Sequence, residues 1–301
     1  MFRRALLIAA LAFVSGAGYA VDQAGGAFLV LPLSVRQTGL GGVSVGGEDI
    51  MRAWSNPALL AGPAARAEVA FGGSSLLGNL EDEAVLGAGW RPARGIAIGV
   101  LGCDYSARIA GVDATGAPTG VDLDRRVSSG GGGAAFQIEG FRAGFLVRAV
   151  ADRIMTDTVT VGAADFGVAA SDLGFTGGFA YRNVGWSGAM TLPRALSGGL
   201  AYRNDRARLT TAVELVMVRD QATRTSGGLE WWPITQLGIR AGAADFRDMG
   251  GQFTCGLSAQ LRSFGLDYAL SAHPLGTSHR LSISYTFGPA IPEPPPSNQG
   301  E

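Results

Sequence analysis

The run Gly42-Val43-Ser44-Val45-Gly46 has the G-x-S-x-G spacing of a hydrolase nucleophile. That chemistry needs the serine on a tight strand-to-helix turn of an α/β sheet, with a histidine brought alongside it. His273 and His279 lie far downstream, and no alternation of strands and helices surrounds Ser44. With 47 glycines in 301 residues, chance accounts for the spacing. The chain is therefore read as non-enzymatic, with no catalytic residue. Cys103 and Cys255 are the only thiols, and no Cys/His group has metal-ligand spacing, so neither metal nor cofactor is expected. Along their segments Cys103 opposes Ile96, Ile98 and Val100, whereas Cys255 shares the parity of Phe253, Leu257 and Leu261. The two thiols are predicted to point to opposite sides of one wall, without a disulfide.

A second constellation is electrostatic. Arg142, Arg148, Arg182, Glu214, Glu230, Arg240, Asp267 and Arg280 all fall on the polar parity of apolar/polar alternations. Their signs are mixed. A selective pore calls for rings of one sign, whereas buried charges must be paired. These residues are expected to form a salt-bridged network filling an interior.

The elements that carry them alternate with period two. In the last one, Leu281, Ile283, Tyr285 and Phe287 share one face and Arg280, Ser282, Ser284 and Thr286 the other. Strands are predicted near 67–75, 84–90, 95–103, 128–138, 141–150, 172–182 and 185–191. The second half gives 196–203, 208–218, 225–232, 236–243, 252–261, 265–272 and 279–287. That makes about fourteen, most of them long enough to cross a bilayer when tilted. A soluble sandwich also alternates, so connection length decides. With the N-terminus taken as periplasmic, even connections are short: 91–94, 139–140, 183–184, 204–207, 233–235 and 262–264. Odd ones include the long 104–127 and 151–171. Sorting by parity is the mark of a transmembrane antiparallel β-barrel.

Composition agrees. Charged residues make up only 16% and hydrophobic ones 47%, yet no run of 18 apolar residues follows the first twenty. A net charge of −1 without a basic run leaves no footprint for nucleic acid. Arg3 and Arg4 before the apolar stretch Ala5–Val14, then Gly18-Tyr19-Ala20, read as a signal peptide over 1–20. Residues 21–65 form a compact N-terminal segment, 66–287 the barrel, and 288–301 a disordered proline-rich periplasmic tail. Trp54 is expected to wedge that segment against the wall, and Trp231, Trp232 and Pro233 to anchor an aromatic girdle. Outer-membrane lipids are the expected surroundings, in a diderm bacterium. Phe287, closing the last strand, resembles the signal read by the barrel-assembly machinery.

Residues Arg36 to Gly42, Glu48-Asp49 and Trp54-Ser55-Asn56-Pro57-Ala58-Leu59-Leu60 resemble the start of the PorV/PorQ outer-membrane proteins, within the FadL-like barrels. Tyr181–Gly185, Leu192-Pro193, Gly227–Trp232 and the closing hairpin from Leu266 to Ser282 are similar to later parts of the same family. The resemblance implies fourteen strands with the N-terminal segment folded inside as a hatch. Its motif residues are Gly39, Gly41, Gly42, Asn56, Pro57 and Ala58. It further implies an accessory of protein export or surface attachment, partnered by secreted cargo or secretion-system components. The alternatives are a FadL-like channel for a hydrophobic ligand, gated by the hatch, and a structural barrel without transport.

Overall fold

The computed structural model describes residues 27–47, 49–62, 66–76, 81–112, 118–186, 190–219, 221–246, 250–274 and 276–288. The expected signal peptide and most of the expected tail lie outside them. Fourteen antiparallel strands close into one barrel: β1 Ala67–Leu76, β2 Glu81–Ala93, β3 Ile96–Val112, β4 Pro118–Ile138, β5 Phe141–Ile154, β6 Asp157–Asp172 and β7 Phe175–Gly185. The circuit continues through β8 Ala195–Asn204, β9 Leu209–Val218, β10 Arg224–Ile234, β11 Leu237–Phe246, β12 Gly250–Leu261, β13 Phe264–His273 and β14 Gly276–Phe287. Each strand pairs with its sequence neighbours, and β1 pairs with β14, so no edge is left exposed.

Alternation puts bulky apolar groups outside. Phe71, Leu86, Val100, Phe145, Val213, Leu257 and Ile283 are exposed, while their strand neighbours are buried or partly buried. This outward belt on a closed barrel is what a hydrocarbon environment demands, since every backbone group in the wall must be bonded within it. No helix among the described residues is long and apolar enough to cross a membrane. Near one rim stand exposed Trp90, Phe141, Phe175, Tyr202, Trp231, Phe264 and Phe287. Phe175 and Tyr202 lie 4.7 Å apart between ring centroids, as do Phe264 and Tyr285.

At that rim the strands are joined by short turns. Leu173-Gly174 illustrates one, with φ of 49° and 82°, the positive pair a two-residue type I′ turn requires. At the other rim β3, β4, β5 and β6 run to 17, 21, 14 and 16 residues and stand out beyond their neighbours.

The strand count agrees with the sequence reading, but its composition does not. Segments 104–127 and 151–171, expected as long loops, are largely strand: the first belongs to β3 and β4, and the second holds most of β6. The expected strand 185–191 is mostly connection, and the expected turn 183–184 lies inside β7. There Asp165 of β6 faces both Arg182 and Asn183, a bulge that places Asn183 at φ 62°. Asparagine tolerates that left-handed conformation in a bulge as well as in a turn, which is why its sequence signal misleads.

Residues 27–47 and 49–62 lie against the buried faces of the strands. The segment holds one α-helix, α1 (Val35–Gly39), and three 3₁₀ turns, Ala27–Val30, Ile50–Trp54 and Pro57–Ala61. α1 packs on β11 to β14, Ile50–Trp54 on β1 to β3, and Pro57–Ala61 on β3 to β6.

Candidate functional site

Local sequence explains the shape of this segment. Ser34 caps α1, its Oγ accepting from Gln37 N at 3.1 Å. The helix ends in Gly41 and Gly42, both at positive φ. Gly41 N donates to Thr254 Oγ1 at 3.0 Å, and Thr254 donates on to Gly39 O at 3.2 Å. Gln37 Nε2 donates to Gly42 O at 2.8 Å, folding the glycine stretch onto the helix. A Cβ on Gly242 would strike Gly41 N, so glycine is needed on both sides of this contact.

Asn56 opens the last 3₁₀ turn by accepting from Ala58 N at 3.0 Å, with Pro57 in the first position. Its Nδ2 reaches the wall, donating to Val168 O and Phe179 O at 3.2 Å each, residues that pair across β6 and β7. A Cβ on Gly167 would collide with Asn56 Oδ1, and one on Gly144 would come within 2.5 Å of Pro57 O. We expect Gly167→Val to dislodge Asn56. Limited proteolysis of the folded barrel in detergent should then cut within residues 27–62 of the variant, while the wild type resists. Equal resistance would show that the wall yields instead.

Inward charges gather in clusters. Arg36 of α1 donates to Glu230 at 3.1 and 3.3 Å and approaches Asp267 at 4.0 Å. Arg240 bonds Glu230 at 2.5 Å, Asp267 at 3.4 Å and Ser258 Oγ at 2.5 Å. The Trp232 ring lies 5.4 Å from the Arg36 guanidinium carbon and 5.8 Å from that of Arg240. Burial works against the charge on Arg36, yet Glu230, Asp267 and Asp49 together hold its pKa above the ordinary arginine value.

In the next cluster Glu214 Oε2 accepts from Ser44 N at 2.5 Å and Ser44 Oγ at 2.8 Å. Arg52, fully buried, pairs with Asp49 at 2.8 Å and donates to Ser44 O at 3.0 Å. A third cluster joins Arg148 to Asp165 at 2.8 and 3.3 Å, to Ser129 at 3.2 Å and to Asn183 Oδ1. Asp165 also accepts from Asn183 N at 2.6 Å, and Arg148 sits 4.4 Å over the buried Trp54 ring. Arg280 pairs with Glu83 at 2.8 Å and donates to Pro32 O at 2.6 Å. Arg142 donates to Ser171 Oγ at 2.7 Å.

The largest apolar cluster of the interior lies on one side. Ala70, Val85, Ala97, Leu101, Cys103, Val127, Ala135, Leu146, Val150, Val161 and Ala163, all on β1 to β6, form one buried apolar cluster. Phe28, Leu29, Ile50, Met51, Trp54 and Leu60 of the lumenal segment complete it. Leu192, from the β7–β8 connection, and the Phe28–Tyr105 stack at 5.0 Å belong to its protruding end. Buried charges lie on both sides: Glu68, Glu83, Arg148, Asp152 and Asp165 on β1 to β6, and Arg182, Glu214, Arg224, Glu230, Arg240, Asp267 and Arg280 on β7 to β14. At the turn end a cavity of about 260 Å³ opens beside α1, lined in part by Arg36, Asp49, Glu68 and Asp267.

The structure separates the parts of the supposed nucleophile. Ser44 is buried on Glu214, whereas His279 is exposed, its Nδ1 2.8 Å from Tyr268 Oη on the outward face. Cys103 is buried inward and Cys255 exposed outward. Trp231 points out, but Trp232 turns inward onto Arg36 and Arg240, correcting its expected place in the girdle. Sequence reasoning missed Asp165, Thr254, Ser258 and Glu83 as network members. Ser258 and Thr254 share the parity opposite Cys255 and Leu257, a signal present in the chain. Asp165 went unseen because its strand did.

The fold defines a class, a closed fourteen-stranded antiparallel barrel with an apolar outer belt, the architecture of outer-membrane barrels. No protein-family profile and no curated protein matches the sequence. Among solved structures, the Ralstonia pickettii toluene transporter TbuX aligns with a TM-score of 0.66 at 13% identity, over 87% of this chain and all of that one. The Pseudomonas putida toluene transporter TodX gives 0.67 at 12%, over 85% and 99%. A Pseudomonas aeruginosa FadL homologue gives 0.58 at 13%, over 90% and 100%. The chain has the fold of these FadL-like barrels.

Proposed function

We propose that the chain is an outer-membrane channel of a diderm bacterium for small hydrophobic molecules, with residues 27–62 as its hatch. One observation carries this: the apolar cluster lines one side of the lumen from the protruding rim to the turn end, against the apolar side of the hatch. Water gains little in such a passage, whereas a hydrocarbon passing there exchanges one apolar contact for another. The hydrogen bonds and ion pairs of α1 and the glycines after it hold the hatch to β10 and β12, and Asn56 ties it to β6 and β7, so it can yield along the apolar seam while staying tethered. The toluene transporters of like fold support this reading. The PorV/PorQ export reading rests on sequence resemblance alone, and no contact in the lumen favours it.

Toluene uptake by cells lacking their own hydrocarbon channel tests the proposal. Expression of the chain should raise the uptake rate, and Leu146→Arg, which sets a charge in the apolar column, should cut the gain about tenfold or more, the rate equivalent of about 1.4 kcal/mol. Uptake equal to the empty vector, or unaffected by Leu146→Arg in a correctly inserted barrel, would overturn it.

A further inference from the structure

The two rims carry their exposed charges differently. On the protruding strands opposite signs meet: Arg108 lies 3.3 Å from Asp124 and Arg126 2.9 Å from Asp104, pairs that bridge β3 and β4. At the turn rim arginines outnumber acids. Arg66, Arg94, Arg206, Arg208 and Arg262 are all exposed there, and none forms an ion pair with another described residue. The described acids of that rim are Glu139, Asp172 and Asp205, and Asp205 is already held by Arg203 at 2.8 Å. The five arginines stand at the start of β1 and in the β2–β3, β8–β9 and β12–β13 turns, so they form a collar around the rim rather than a patch on one side.

Their positions follow the outward aromatics. The Arg66 carbonyl accepts from Arg91 N at 2.8 Å, beside Trp90, and the Arg208 carbonyl accepts from Trp232 N at 3.0 Å, beside Trp231. Arg94 and Arg206 each follow an exposed aromatic, Trp90 and Tyr202, by four residues, and Arg262 precedes Phe264 by two. Such aromatics settle at the level of the lipid headgroups, and an arginine stem carries its charge to the phosphates just beyond them. A guanidinium meets a phosphate with two parallel hydrogen bonds. Net charge then separates the lipids. A phosphatidylcholine phosphate is balanced by its own ammonium, whereas a phosphatidylglycerol phosphate is not. We propose that the turn rim is a docking collar for anionic phospholipid headgroups of the periplasmic leaflet. The girdle beside the arginines favours a lipid over a soluble polyanion, because it fixes their height at the headgroups. The inference rests on the barrel's place in a membrane and not on what passes through its lumen.

The full chain is inserted into phosphatidylcholine vesicles whose minor lipid is either brominated phosphatidylglycerol or brominated phosphatidylcholine. Bromine quenches the exposed Trp90 and Trp231 beside the collar. At equal bromine content, quenching of the wild type should report phosphatidylglycerol enriched about threefold or more at the rim. The enrichment should fade as salt is raised, since exposed charges are screened. A variant carrying Arg94→Gln, Arg206→Gln, Arg208→Gln and Arg262→Gln should be quenched alike by both lipids. Arg262→Gln alone should weaken the preference in part, a readout that holds even if the fourfold variant fails to insert. Equal quenching of the wild type by the two lipids, a preference indifferent to salt, or one that survives in the fourfold variant would overturn the proposal. Wild type without a lipid preference that nonetheless sediments with isolated peptidoglycan, through the same arginines, would assign the collar to the cell wall instead.

Discussion

Asp165→Ala is expected to destabilise the barrel by about 3–5 kcal/mol, the range found when one member of a buried ion pair is removed. Arg148 and Asp165 are both inaccessible, and the loss would strand the Arg148 guanidinium over Trp54 with only Ser129 and Asn183 to hold it. The damage should spread locally, because Asp165 also accepts from Asn183 N and so fixes the β6–β7 bulge. Asn183 Nδ2 in turn donates to Pro193 O at 2.7 Å, which ties down the β7–β8 connection. Urea unfolding of the detergent-solubilised chain, followed by tryptophan fluorescence, should show a lower midpoint at unchanged slope. Removing both charges, as Arg148→Met with Asp165→Leu, should recover much of the loss, since a packed apolar pair needs no desolvation. If the double variant is no better than Asp165→Ala, the bulge geometry rather than the charge is what Asp165 maintains.

The same residue shows where sequence reading ends. Strands such as β14 and β13 were legible because each has water-averse groups on the lipid side and polar ones inside, so period two is visible in the letters. β6 has no such contrast. Apart from Asp165, its inward set Val159, Val161, Ala163, Gly167 and Ala169 is apolar and packs toward the N-terminal segment, and its outward set Thr160, Gly162, Ala164, Phe166 and Val168 is hardly different. Where lumen and membrane are both apolar, alternation vanishes and the strand resembles a loop. The missing strand coincides with the apolar column for that reason. The inward arginines were readable from parity, but their partners were not, because pairing runs across strands and into α1. Arg36 meets Glu230 across 194 positions of chain, a contact set by the closure of the barrel. Trp232 was misplaced because adjacent tryptophans on one strand must face opposite sides, and only one could join the girdle.

Deleting residues 27–62 should convert a closed barrel into a steadily conducting pore. The wall does not need the segment for its own hydrogen bonds: every strand from β1 to β14 is paired on both edges by other strands. What the deletion removes is the filling. Water would then solvate Glu230, Asp267, Arg240 and the other inward charges, whose pairing to one another within the wall survives in part, as between Arg240 and Glu230. The apolar half of β1 to β6 would be wetted at some cost in stability, but small side chains such as Ala97, Ala135, Ala163 and Ala169 expose little area there. In planar bilayers the shortened chain should give stepwise, long-lived ion currents with a cation-to-anion permeability ratio close to one, as mixed-sign walls dictate. The intact chain should stay silent to ions while still passing toluene. A shortened chain that inserts yet does not conduct would mean that strand side chains alone fill the lumen, and one that cannot fold would make the segment a structural core rather than a hatch. On the proposed channel reading, hydrocarbon passage with ion tightness requires a filling that yields along an apolar seam while staying anchored, and the N-terminal segment supplies apolar contacts to β1–β6 together with polar ties through α1 and Asn56.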